Sequence, residues 1–261
     1  MAGVRLDKLL VERGLAATRS RAQALVLAGR VAVDGAVVDK AGKAVSAEAE
    51  IALLEISPYV SRGGEKLKAA LASFDPPLEG AVCADLGAST GGFTDCLLQH
   101  GAGKIYAVDV GKGLIDSTLR ADPRVVVLEG LNARYLSDEH IPEPLDGATI
   151  DVAFISLRLI FPPLAPLIKE GGWLLGLVKP QFEVGRGEVG RGGVVRDRAK
   201  HRRVILEVAE SAQALGLTVA GLIASPLKGP KGNREFFLYA VKGAAAGLPD
   251  LEAAVDAVTA S

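Results

Sequence analysis

The 261-residue sequence holds only two cysteines, Cys83 and Cys96. Two thiols in a chain of this length exclude a disulfide framework and a cysteine zinc cluster, and no metal site is expected. Cys83 lies in a strand-like apolar run and Cys96 in a helix-like one, so both read as small buried hydrophobes. No apolar run reaches the length that spans a bilayer. The first ten residues carry two basic side chains but neither the apolar core nor the cleavage site of a signal peptide, which predicts a cytoplasmic protein with no membrane contact. No segment repeats. A net charge of −1 gives the chain no overall bias toward an acidic or basic partner.

What is present argues for a folded protein with a real core. Hydrophobic residues make up 49% and charged residues 23%, which excludes a disordered chain. The charge is unevenly spread. Residues 1–45 carry eight basic and four acidic side chains, and residues 179–203 carry eight basic and three acidic ones. Two basic islands thus stand in a neutral background, and local clusters of this kind make phosphate contacts without a basic pI.

The first island reads as a small α+β unit over 1–57. Leu6, Leu9, Leu10 and Arg13 keep helical spacing. Thr18 or Ser20 can cap a second helix with Ala22, Leu25, Val26 and Ala28 on its apolar face, and Gly29 ends it. Residues 31–38 read as strand, Asp34-Gly35 turn, strand, and a further strand is expected over 50–56. Pro58 opens a linker over 58–64 with Ser61-Arg62-Gly63-Gly64. A helix follows over 65–74, stopped by Asp75-Pro76-Pro77. Beyond it, apolar strands at 81–86, 104–109, 124–128, 149–155 and 172–178 alternate with helix-like stretches. A helix over 197–215, a strand over 217–224 and a strand over 235–241 complete the pattern. This alternation predicts the α/β class, a Rossmann-like doubly wound sheet over 65–243, followed by an Ala-rich tail over 244–261.

Residues 82–93 form the first strand of that sheet, a glycine turn and a helix start. Gly87 permits a tight turn, and Gly91 and Gly92 let a ligand approach a helix N-terminus. Ser89 and Phe93 belong to the same segment. The spacing departs from the dinucleotide fingerprint and from the P-loop. Asp85, just before the first glycine, disfavours a pyrophosphate and suits a ligand with an amino or sulfonium cation. Asp109 ends the second strand, where a carboxylate can grip ribose hydroxyls. Four further polar residues fall at the ends of predicted elements: Lys66, Asp151, Lys179 and Glu235.

These segments together resemble the FtsJ-like ribose methyltransferases, whose hallmark is a Lys-Asp-Lys-Glu tetrad in this chain order. The resemblance is closer still to the TlyA family of rRNA 2′-O-methyltransferases, also labelled hemolysin A. It is carried by residues 60–67, 85–93, 151–157 and 177–183, and by Gly229-Pro230-Lys231-Gly232-Asn233-Arg234-Glu235. Where family members can carry a tryptophan before the Val-Ser-Arg-Gly run, this chain has Pro58-Tyr59. The front unit is similar to the RNA-binding domain first described in ribosomal protein S-four, through Arg5-Leu6-Asp7, residues 20–24, Gly29-Arg30-Val31 and Val33-Asp34-Gly35.

The resemblance implies a class I methyltransferase that uses S-adenosylmethionine and acts on ribosomal RNA or ribosomal subunits, cytidine being the implied nucleotide, with no obligate protein partner. It implies Lys66, Asp151, Lys179 and Glu235 as the catalytic tetrad. Asp85, Gly87 and Asp109 would meet the cofactor, and Asn132 would lie near its adenine. A ribose hydroxyl is a poor nucleophile at neutral pH, so one amine must serve as base, for which Lys179 is the expected group. Lys66 would hold the hydroxyl or a phosphate, Asp151 would orient the lysines, and Glu235 would fix Lys66 or the ribose. Arg5, Lys8, Arg19, Arg21 and Arg30 in the front unit are the expected RNA contacts, with Arg62 in the linker. Arg186, Arg191 and Arg196 would join them from a glycine-rich loop. Three rivals stand beside this reading. An RNA-binding protein on an inactive methyltransferase fold is one. A pore-forming hemolysin is another, but the sequence shows neither a spanning helix nor lipid-facing alternating strands. A base-modifying enzyme is the third, and it lacks an Asn-Pro-Pro-Tyr type motif and a catalytic cysteine.

Overall fold

The computed structural model describes residues 3–27, 30–53, 58–185, 187–229, 231–244 and 246–260. The chain forms two compact units, Met1–Pro58 and Tyr59–Ser261.

In the first unit, β1 (Val4–Arg5) leads into α1 (Leu6–Glu12), and α2 (Arg19–Leu27) follows. Thr18, not Ser20, supplies the cap: its Oγ1 accepts from the amide of Arg21 at 3.2 Å. The expected helix end at Ala28 and Gly29 lies outside the described residues. Strands β2 (Val31–Val33) and β3 (Ala36–Val37) pair antiparallel through a turn in which Asp34 and Gly35 both take positive φ, 50° and 76°. That is the conformation a two-residue hairpin demands of its centre. β4 (Ala44–Val45) pairs with β1, and β5 (Ile51–Leu53) pairs with β2. Residues 54–56 of the strand expected over 50–56 lie outside the described residues. Leu6, Leu9, Leu10, Ala22, Val26 and Val31 close the core.

Asp7 is the unusual member of this unit, a carboxylate with no exposed surface. It accepts from Arg5 Nη2 at 2.8 Å, Arg19 Nε at 3.0 Å and Gln23 Nε2 at 2.9 Å. The Arg5 guanidinium above all, with Gln23 and Arg19, holds its carboxyl well below the usual carboxylate range against the cost of burial.

The second unit begins with Tyr59, which is buried. A Cβ on Gly64 would lie 2.2 Å from Tyr59 Cγ, so the aromatic ring seats directly on the first turn of α3 (Gly63–Phe74). Asp75 ends that helix in the left-handed conformation. The sheet is built from β6 (Val82–Leu86), β7 (Lys104–Asp109), β8 (Val125–Glu129), β9 (Leu145–Ile150), β10 (Ile168–Val178), β11 (Leu217–Ala224) and β12 (Phe236–Lys242). Interleaved are α4 (Gly92–Gln99), α5 (Ser117–Ala121), α6 (Phe161–Leu164), α7 (Pro180–Glu183), α8 (Arg198–Gln213) and α9 (Leu251–Ala260). The strand order is β11-β12-β10-β9-β6-β7-β8, with β12 alone antiparallel to its neighbours.

Side chains alternate across this sheet with the two-residue period of a strand. Trp173, Leu175 and Leu177 join α3 and α4 on one face, with Cys83, Ile105 and Phe237. Leu174 and Val178 join α8 and α9 on the other, with Ala84, Leu86, Phe236 and Leu238. Both faces are covered, which is why the strands read as continuous apolar runs.

One segment departs from its sequence-based expectation in a way that moves a site residue. The strand expected over 149–155 ends at Ile150, so Asp151 stands on a loop rather than inside a strand. Residues 244–261, expected as an Ala-rich tail, hold one short helix, α9, which buries Val255 in the main core.

Replacing Asp7 by alanine strips three donors of their shared acceptor. The first unit should lose roughly 1–3 kcal/mol. Hydrogen exchange of the whole chain should then quicken across residues 6–45 and stay unchanged in the sheet. Uniform protection would contradict this account of Asp7.

Candidate active site

The carboxyl ends of the parallel strands form one edge of the sheet, and the chain leaves four charged side chains there. Asp151 follows the last residue of β9, and Lys179 follows the last residue of β10. Because β12 is antiparallel, its first residue, Phe236, pairs with Val178, the last of β10. Glu235, just before β12, is thereby brought to the same edge. Lys66 comes from the first turns of α3.

They associate as two ion pairs. Lys66 Nζ lies 2.7 Å from Glu235 Oε2, with the lysine side chain 12% and the glutamate 1% exposed. Lys179 Nζ lies 2.7 Å from Asp151 Oδ1. That contact is one of charge without hydrogen-bond alignment, because Asp151 Oδ1 is buried and has no aligned donor among the described residues. All four side chains line one cavity of about 1,030 Å³.

The same cavity is lined by Gly87, Ser89, Asp109 and Asn132 and by the apolar Val110, Leu114 and Leu131. Asp109 is set by two backbone bonds: its Oδ2 accepts from the Ser89 amide at 2.8 Å and its Oδ1 from the Gly111 amide at 2.7 Å. Asn132 caps the short turn Ala133–Tyr135 by accepting from the Arg134 amide. Gly87 is irreplaceable on two counts. Its φ is +85°, and a Cβ there would stand 2.6 Å from the carbonyl oxygen of Asp151. The glycine turn after β6 and the loop after β9 are therefore in backbone contact. A smaller basin of about 340 Å³ shares Lys66, Gly87, Ser89 and Asp151 and continues to Arg62, Gly92, Phe93 and Lys228.

Residues 59–242 match the FtsJ-like methyltransferase family, and residues 4–51 match the S4 domain. The 16S/23S rRNA (cytidine-2′-O)-methyltransferase TlyA of Mycobacterium tuberculosis is 47% identical over 90% of this chain and 88% of its own length. The Hemolysin A of Brachyspira hyodysenteriae is 38% identical over 90% of this chain and 99% of its own. A Streptococcus thermophilus protein solved under a provisional hemolysin name superposes with a TM-score of 0.77 at 41% identity, covering 100% of this chain and 95% of that one. The chain belongs to the TlyA family of FtsJ-like methyltransferases.

Within this TlyA-family fold, two residues expected at the cofactor lie behind the cavity lining. Asp85 is fully buried and accepts from Thr94 Oγ1 at 2.7 Å and Thr149 Oγ1 at 3.0 Å. It braces the strand ends from beneath. Gly91, at φ +95°, caps α4 and packs against Leu119.

The expected RNA contacts have unequal surroundings. Arg5 and Arg19 are about half exposed and committed to Asp7. Lys8, Arg21, Arg62 and Arg196 are exposed, and Arg30 is partly buried. Arg186 and the side chain of Arg191 lie outside the described residues. Much of the second basic island is spent within the protein: Arg202 pairs with Glu252 and Asp256, and Arg203 with Glu188.

Sequence reasoning missed two features of this TlyA-family site. Phe154 is 91% exposed at φ 63° and leans on Phe182, ring centroids 5.0 Å apart. Exposure of an aromatic leaves no trace in the sequence. Glu183 is buried and accepts from Ser156 Oγ and the Leu157 amide, which ties the loop after β9 to α7 after Lys179. Burial pushes its carboxyl up, partly offset by these donors. Its place directly after Lys179-Pro180-Gln181-Phe182 in a family motif was the available signal.

Burial also pushes the Asp85 carboxyl up to about 6, against the opposing hydroxyls of Thr94 and Thr149. The folded protein thus keeps this proton to higher pH than the unfolded chain. The stability tied to it is complete below about pH 4 and lost as pH rises through about 6. Asp85→Asn cannot ionise, so its stability relative to the wild type should climb by about 3 kcal/mol between those limits. Thermal unfolding across that range measures it, and a pH-independent difference would refute it.

Proposed function

We propose that the protein transfers a methyl group from S-adenosylmethionine to a ribose 2′-hydroxyl of ribosomal RNA, on cytidine, in the cytoplasm. The observation that carries this reading is the meeting of Lys66, Asp151, Lys179 and Glu235 on one large cavity. The residues around it suit the cofactor. Asp109 offers a carboxylate to ribose hydroxyls, Asn132 an amide to adenine, and Val110, Leu114 and Leu131 apolar surface to the base. The backbone of the glycine turn, with the smaller basin beyond it, suits the methionyl end, whose carboxylate would meet Arg62. Asp85 supports this turn from below rather than touching the ligand.

When bound, S-adenosylmethionine supplies an activated methyl group on a sulfonium, so positioning contributes much of the rate. Lys179 first gives up its own proton to solvent and then, as the amine, takes the proton of the sugar hydroxyl. Asp151 holds that amine in place and balances the ammonium it becomes. Lys66, fixed by Glu235, steadies the hydroxyl or an adjoining phosphate. Phe154 offers its exposed face to the target base, since single-stranded RNA is read by stacking as well as by hydrogen bonds. The S4 unit grips RNA phosphates through Lys8 and Arg21, with Arg5 and Arg19 aimed by Asp7 and Arg30 alongside. Arg196, Arg191 and Arg186 do so from the loop. The cytidine assignment follows the Mycobacterium tuberculosis relative.

Lys179→Ala should lower methyl transfer to rRNA by roughly 10²- to 10⁴-fold and leave S-adenosylmethionine binding intact. Mass spectrometry of rRNA from cells with and without the protein should show at least one lost ribose methyl. Turnover at the normal rate in the variant would remove Lys179 from the role of base. Phe154→Ala should weaken kcat/KM for RNA by the equivalent of about 1–3 kcal/mol, the worth of one stacked base. Unchanged kinetics would show that the ring does not meet the substrate.

A further inference from the structure

Three consecutive residues, Asn233, Arg234 and Glu235, each grip a different part of the second unit. Glu235 takes Lys66 on α3. Asn233 is buried at 3% exposure; its Oδ1 accepts from the Val195 amide at 3.0 Å, and its Nδ2 donates to the Gly193 carbonyl at 2.9 Å. The Val195 carbonyl is also within 2.9 Å of His201 Nε2 on α8. The glycine-rich basic loop is therefore fastened at its root to the residue two before Glu235.

Arg234 reaches toward α9. Its guanidinium donates to the carbonyls of Val258 at 2.9 Å and Thr259 at 3.2 Å, and sits 5.2 Å from the centre of the Phe236 ring. A helix end leaves those carbonyls without intrahelical partners, and the dipole there favours a cation. The helix is itself firmly seated. Val255 and Thr259 are buried, and Arg202 on α8 binds Glu252 and Asp256.

Glu235 stands just before β12 with its carbonyl held by the Ser225 amide at 2.8 Å, so the sheet fixes its backbone while the aim of its carboxylate depends on the chain around it. We infer that Asn233 and Arg234 are positioning residues that hold Glu235 on Lys66 from two sides. The root of the glycine-rich loop and the terminal helix then belong to the catalytic apparatus. Tension on the loop when RNA binds reaches the tetrad through Asn233. This inference rests on the proposed role of Glu235.

The test uses the full chain. Arg234→Ala and Asn233→Ala should each lower kcat roughly 10- to 100-fold, the cost of a small misplacement at a reacting centre. S-adenosylmethionine Kd, measured by calorimetry, should stay within about twofold of the wild type. Arg234→Lys should recover part of the loss, because an ammonium can still meet the helix carbonyls. Ile141→Ala, a buried core position away from the terminal helix and from the site, loosens the core without touching Arg234, and it should lower Tm yet preserve kcat. A crystal structure of Arg234→Ala should show Glu235 displaced from Lys66. Glu235 remaining in place there, or an equal kcat loss in Ile141→Ala, would overturn the inference. If the wild type itself left rRNA unmethylated, the functional reading would fall, and the position of Glu235 in the variant would still decide this one.

Discussion

Two ammonium groups share one cavity here, and each is held by its own carboxylate. A largely buried charge is costly unless it is paired, and a pair that loses one member leaves the other stranded. Lys66 with Glu235 and Lys179 with Asp151 meet that condition with contacts of 2.7 Å each. The rest of the second unit can be understood as the means of bringing these four residues, spread from position 66 to position 235, to one place. Parallel strands deliver Asp151 and Lys179 because both follow strand ends at the same edge of the sheet. The reversed strand β12 delivers Glu235 because its beginning lies where its neighbour ends.

The same edge carries a second constraint, close backbone approach. Gly87 touches the carbonyl of Asp151, so the turn that suits the methyl donor and the loop that bears a tetrad acid cannot move independently. Glu183 adds a further tie by binding Ser156 and Leu157. Between these fixed points the loop holds Phe154 in a left-handed conformation that a bulky residue rarely adopts. Strain of this kind persists where neighbouring contacts over-determine the backbone. The exposed ring is consistent with a surface kept ready for a substrate rather than for the core.

The hemolysin label borne by the Brachyspira hyodysenteriae relative describes that protein. In this chain no helix among the described residues is long and apolar enough to cross a membrane. The charged groups that distinguish the second unit face a cavity that suits a nucleoside and a sulfonium donor. The basic islands also mean less than their count suggests. Arg5 and Arg19 serve Asp7, and Arg202 and Arg203 serve acids on α8, α9 and the loop. A charge census counts cations and is blind to those already neutralised.

Local chemistry was enough to find the Asp34-Gly35 hairpin, the glycine turn at 87–92 and the alternation of strands and helices, because each depends on the conformational preferences of neighbouring residues. The tetrad was legible only through a family motif, since nothing local to Lys66 or Glu235 reveals that they meet 169 positions apart in sequence. Three-dimensional packing alone decided that Asp85 is fully buried on Thr94 and Thr149 and that Asp151 stands on a loop. It also decided that Arg234 caps the terminal helix. Burial and hydrogen-bond partners are properties of assembled neighbours, and the order of residues along a chain does not contain them.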